Sequence, residues 1–145
     1  MREFRDSKGR SWKLVVDVES AERVRDVLKV DIFKLADEHS HVFNDVVLFV
    51  NLLFVLCKDQ CDAVSVTDRD FGKAINGDVL DDASRKLLEE VADFFPELRR
   101  KILRKQIEKG AELAQAATER AIAEIDRLSV DQILDGLRSM RSPAA

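Results

Sequence analysis

The stretch Val46–Cys57, VVLFVNLLFVLC, limits the folds open to this chain more than any other segment. Its only polar interruption is Asn51. A run that is apolar on every side cannot lie on a wet surface, so it predicts a helix covered on most sides. It is too short for a bilayer, which needs about 20 apolar residues. Asp45 before it and Lys58 and Asp59 after it close it off. The chain is therefore expected to wrap a buried central helix running from near Asp45 to about Asp62.

The flanks supply the wrapping. Arg2–Asp6 and Ser11–Val18 read as a hairpin, with Asp6 opening a type I turn and Gly9 taking the left-handed position. Trp12, Leu14, Val16 and Val18 alternate with polar or outward residues, the period of a half-buried strand, and Phe4 can join their face. A lone hairpin is marginal in water. Its Trp12 face must rest on helices, or its edge must be offered to another chain. Phe4, Trp12 and Leu14 are thus the candidate residues of a self-assembly edge.

Ser20 can cap a helix from Ala21 to about Lys29, and Asp31 a short turn holding Ile32, Phe33, Leu35 and Ala36. Thr67 is a suitable cap for a helix carrying Phe71, Ala74 and Ile75 inward, with Asn76-Gly77 as its end. Asp78 restarts a helix whose stripe includes Leu80, Ala83, Leu87, Leu88 and Val91. Pro96 separates that helix from the next. From Pro96 to Leu128 only Gly110 weakens the helical pattern, which predicts a rod of about 50 Å at 1.5 Å per residue. One stripe of the rod reads Leu103, Ile107, Gly110, Ala114, Ala117, Ala121, Leu128. Its small middle buries little area by itself and lets a partner helix approach closely. Ser129-Val130-Asp131-Gln132 suggests a capping box for a final helix with Ile133, Leu134 and Leu137, and Ser142–Ala145 a loose tail. The fold class expected is α+β, mostly α. A hairpin-plus-helices body over 1–95 is followed by a long and a short helix over 96–145, in the same domain or as an arm.

Among 145 residues there are five glycines and two prolines, a poor supply of turns for a β fold. The net charge of −4 argues against a surface devoted to nucleic acid. MREFRDSKGR leads into no apolar segment of the kind a secretory signal needs, so none is expected. With two cysteines four residues apart, a reducing cytoplasm is the expected setting.

Candidate chemistry is sparse. His39, His41, Cys57 and Cys61 are metal-ligand types, but HxH with a helical CxxxC is not a familiar zinc spacing. Core filling for Cys57 and solvation for the histidines are the readings preferred, with no metal or other cofactor. The acids Asp78, Asp81, Asp82, Glu89, Glu90 and Asp93 read as a solvated helix face. No Gly-rich loop follows a strand, and no serine or cysteine has a base beside it in sequence. No enzyme is expected. Arg99, Arg100, Lys101, Arg104, Lys105 and Lys109 form the one basic block. It can attract phosphate, with Arg99, Arg100, Arg104 and Lys105 as candidate contacts. No aromatic residue is interleaved with it, and the preceding acidic helix can neutralise it, so nucleic acid is not the expected partner.

Taken in order, the chain resembles the tail assembly chaperones of long-tailed phages and prophages. The resemblance is carried by the strand pair with Gly9-Arg10-Ser11-Trp12-Lys13-Leu14, the helix Ser20-Ala21-Glu22-Arg23-Val24, and the step Val30-Asp31-Ile32. A helical body and a charged, Ala-rich C-terminal arm follow. It is a likeness of pattern and order over most of the chain and has no diagnostic motif residue to carry over. It implies a non-enzymatic holdase in the host cytoplasm that coats the tape measure protein, keeps it soluble, and helps tail tube protein polymerise around it. It also implies a homo-oligomer without membrane contact, and a family habit of making a longer frameshifted product. Leu103, Ile107, Ala114, Ala117 and Ala121 are then the expected partner-binding residues. A structural tail or neck component is the nearest alternative, and a small nucleic-acid-binding regulator using the 99–109 basic face the next.

Overall fold

The computed structural model describes residues 1–37, 40–128 and 130–140. Its two strands, β1 (Arg2–Arg5) and β2 (Ser11–Leu14), are antiparallel, with Phe4 opposite Trp12 and Arg2 opposite Leu14. Seven α-helices follow: α1 (Val18–Leu28), α2 (Val46–Leu56), α3 (Lys58–Ala63), α4 (Asp68–Lys73), α5 (Gly77–Phe94), α6 (Glu97–Arg127) and α7 (Val130–Met140). Short 3-10 turns at Ile32–Lys34 and Val42–Asn44 lead from α1 to α2. The α+β, mostly α expectation is met. The chain divides into two compact units, Met1–Ile107 and Glu108–Ala145.

Among the described residues the buried core lies in the first unit. Phe4, Trp12 and Leu14 from the hairpin meet Val24 of α1, Leu52 and Leu53 of α2, Phe71 of α4, and Leu87 and Val91 of α5. Trp12 and Phe71 stand edge-on, with ring centroids 5.4 Å apart. This geometry is favoured by the ring quadrupoles and adds to the gain from burial. The alternation read in the second strand holds as far as Leu14.

Beyond Leu14 the chain turns helical earlier than its pattern suggests, because Asp17 rather than Ser20 caps α1. The Asp17 carboxylate accepts from the Ser20 amide at 2.8 Å, and the Ser20 hydroxyl accepts from the Asp17 amide at 2.9 Å. This reciprocal box satisfies two orphan donors at once, which a cap at Ser20 could not do. A similar box joins Thr67 and Asp70 at the start of α4. Asn76 does not end a helix. Its side chain accepts from the Val79 amide at 3.0 Å and starts α5, with Gly77 as the first helical residue.

The central rod is also broken once. At Cys57 the backbone leaves helical geometry (φ −100°, ψ 8°), and its amide is shared by the carbonyls of Leu53 and Phe54. Helix α3 continues after the break. Asn51 lies on the solvent side of α2, while Phe49, Leu52, Leu53 and Val55 are buried. The first turn departs from the expectation of cover: Val46 is 55% and Val47 71% exposed.

Candidate partner-binding surfaces

Asp6 organises the hairpin end, a role that sequence reading limited to opening a turn. Its carboxylate is fully buried and accepts four hydrogen bonds. The donors are the amides of Lys8 (2.9 Å) and Arg10 (3.0 Å), Arg10 Nε (2.8 Å) and Trp12 Nε1 (2.9 Å). Burial alone would raise its pKa. The bonds from Trp12, Arg10 and the two amides outweigh burial and hold it below the ordinary value. Asp followed four and six residues later by Arg and Trp across a Gly turn was the available signal.

The proposed self-assembly residues Phe4, Trp12 and Leu14 are each 2% exposed or less, so their side chains belong to the core. The outer backbone of each strand is met by a side chain. Gln60 of α3 accepts from the Lys13 amide at 2.8 Å and donates to the Lys13 carbonyl at 2.9 Å, as a neighbouring strand would. On β1, Lys86 Nζ donates to the Glu3 carbonyl at 2.7 Å. These plugs occupy backbone groups that an incoming strand would need.

The acidic run of α5 is not simply solvated. Glu90 is buried, and Arg2 reaches Glu89 at 2.8 Å, Glu90 at 3.0 Å and Asp93 at 2.7 Å. Asp93 also binds Arg104 of α6. Burial pushes the Asp93 pKa upward, but the bonds from Arg2 and Arg104 overcome this and lower it. Only from the tertiary fold does the hairpin arginine arrive beside these acids, 87 to 91 residues away in sequence.

Much of the basic block is engaged in the same region. Arg100 Nη2 donates to the carbonyls of Asp93 (3.3 Å) and Phe95 (3.1 Å), which closes the end of α5. Its Nε is sealed from solvent without a partner among the described residues. Arg99 lies over the Phe95 ring, 4.4 Å from its centroid, and Lys101 pairs with Glu97 at 3.3 Å. Lys105 is exposed and makes no hydrogen bond or ion pair among the described residues. The block thus fastens the start of α6 to α5.

No side chain of α6 is buried. Of the expected partner-binding residues, Leu103 and Ile107 are half-buried and fall in the first unit. Ala114, Ala117 and Ala121 are exposed and fall in the second. The second unit also exposes aliphatic groups outside that stripe: Leu113, Ile122 and Ile125 on α6, and Ile133, Leu134 and Leu137 on α7.

A further surface lies between the start of α2 and α5. Phe43, Val46, Phe49, Leu80 and Leu88 line a cleft of about 320 Å³, with Asp81 and Ser84 at its polar rim. Leu80 and Leu88 are the outer neighbours of the buried stripe Val79, Ala83, Leu87 and Val91. The Asp81 carboxylate has no hydrogen bond or ion pair among the described residues.

Cys57 and Cys61 are fully buried free thiols. Burial, with a smaller contribution from Cys61, pushes Cys57 up to about 12. Burial, followed by the nearby Asp62 charge, raises Cys61 to about 11. Both are sealed from solvent, and burial disfavours their ionised forms. His41 is exposed, and His39 lies outside the described residues. The described residues contain no cluster of three His, Cys, Asp or Glu side chains that could hold a metal ion, and no helix long and apolar enough to cross a membrane.

No protein-family model matches the chain, and no curated protein or solved structure matches it.

Proposed function

We propose that the chain is a non-enzymatic tail assembly chaperone, acting in the cytoplasm of a bacterial host. It binds the tape measure protein of a long-tailed phage or prophage, keeps it soluble, and assists tail tube protein in assembling around it. The observation that carries this reading is α6, a 31-residue helix with none of its side chains buried. Exposed apolar and small side chains on a helix are what a second amphipathic helix requires for groove-like recognition. Ala114, Ala117 and Ala121, all exposed, let the partner backbone come close.

The pairing of Arg104 with Asp93 and of Arg100 with the end of α5 weighs against the regulator reading. Phosphate contacts need cations free to face the ligand.

The first test is genetic and physical together. The coding DNA should show a slippery run before the stop codon, an overlapping frame, and then a very long helical reading frame. The product of that frame should co-purify with this protein. A gene without such neighbours, or a long product that stays soluble alone and does not co-purify, refutes the proposal.

A further inference from the structure

The α2–α5 cleft leaves the first turn of the most apolar helix open, beside a carboxylate with no partner. The same unit carries a complementary ridge. On α6, Leu98, Ile102 and Lys105 follow at steps of four and three, so they share one helix face. Leu98 is 75% and Ile102 51% exposed. Arg100, Leu103 and Arg104 lie on the other side of the helix, where α6 is fastened to the body.

We propose that the cleft receives this ridge from a second copy of the chain. The lengths match. Asp81 to Leu88 and Leu98 to Lys105 are both seven-residue helical steps, about 10.5 Å at 1.5 Å per residue. With the two helices antiparallel, Lys105 of one copy meets Asp81 of the other. Leu98 then lies beside Leu88, and Ile102 enters between them against Val46 and Phe43. The charges match as well. Asp81 and Lys105, each without a hydrogen bond or ion pair to its side chain among the described residues, fall opposite one another in this alignment. Each copy owns one cleft and one ridge, so a reciprocal two-fold dimer satisfies both. The contact uses neither the alanine stripe nor the second unit, and it stands independently of the tape measure proposal.

The test is sedimentation equilibrium of the full chain over a wide concentration range, with thermal unfolding as a control for folding. The expected result is a concentration-dependent dimer. Val46→Asp and Ile102→Asp change residues that are more than half exposed, so they should leave unfolding unchanged and weaken association at least about tenfold. Asp81→Lys and Lys105→Asp should each weaken it, and the two combined should restore it. A larger assembly with the same sensitivities supports the same contact arranged head to tail. A monomer at every concentration, association indifferent to Val46→Asp and Ile102→Asp, or failure of the double charge reversal to rescue overturns the proposal.

Discussion

Asp6 shows how much can depend on one buried carboxylate. Four donors converge on it, so removing it leaves two amides, an indole N–H and a guanidinium without their acceptor. Asp6→Ala should cost on the order of 3–5 kcal/mol, as expected for breaking one side of a buried charged pair. Urea unfolding at neutral pH measures this. The acid response has a definite sign. The folded-state pKa of Asp6 is depressed, so its stabilisation is fully present above the unfolded value of about 3.9 and fades as pH falls through the folded value. Asp93 acts in the same direction through Arg2 and Arg104. The wild-type urea midpoint should therefore drop as pH is taken below about 4, and Asp6→Asn should flatten part of that drop. An unchanged slope would remove Asp6 from the account. The two cysteines give a simpler check: a water-soluble disulfide reagent should leave both untouched in the native protein and titrate both after unfolding, since neither is accessible or ionised at neutral pH.

At the scale of elements, the hairpin and α6 have opposite characters. The hairpin places its large side chains in the core and has outer backbone groups met by Gln60 and Lys86. Gln60→Ala should free the Lys13 amide and carbonyl, lower stability by about 1–2 kcal/mol for two largely exposed hydrogen bonds, and raise aggregation on heating, measurable by light scattering. By contrast, α6 is held to the body through its first turns. Replacing both Ala114 and Ala117 with Glu should leave helix content and unfolding temperature as they are, because both positions are exposed. Capture of the tape measure protein should fall at least about tenfold, since two carboxylates would face an apolar partner. Normal capture by that variant would move the binding surface elsewhere, with the aliphatic face of α7 next to be tested.

At the scale of the molecule, every buried apolar residue among the described residues belongs to Met1–Ile107. Residues 1–107 alone should thus fold with a thermal midpoint within a few degrees of the full chain, the shift expected for a difference of about 1 kcal/mol. Loss of cooperative unfolding in that fragment would show that the second unit is needed for the first. A unit the size of Glu108–Ala145, 38 residues long, is below the roughly 40 residues at which domains usually hold a core unaided. Its exposed aliphatic groups fit a part of the chain completed by something else.

Local rules were legible in the residues themselves. The apolar run of α2, the Thr67 cap, the period-two strand around Trp12, and the unbroken rod after Pro96 all rest on interactions within a few positions of one another. These depend on backbone geometry and on the contrast between apolar and polar side chains. Where the reading slipped, side-chain hydrogen bonds to nearby amides decided the outcome: a reciprocal pair between Asp17 and Ser20, and a single bond from the Val79 amide to Asn76. What only the tertiary structure decided was the use of long-range partners. Arg2 among Glu89, Glu90 and Asp93, Gln60 against Lys13, Arg104 on Asp93, and the open cleft beside Val46 depend on how helices pack across tens of residues. A charged or apolar side chain carries no local mark of which distant surface it will meet. Its identity and spacing determine the helix face it occupies, and packing determines whether that face is fastened, buried or left open.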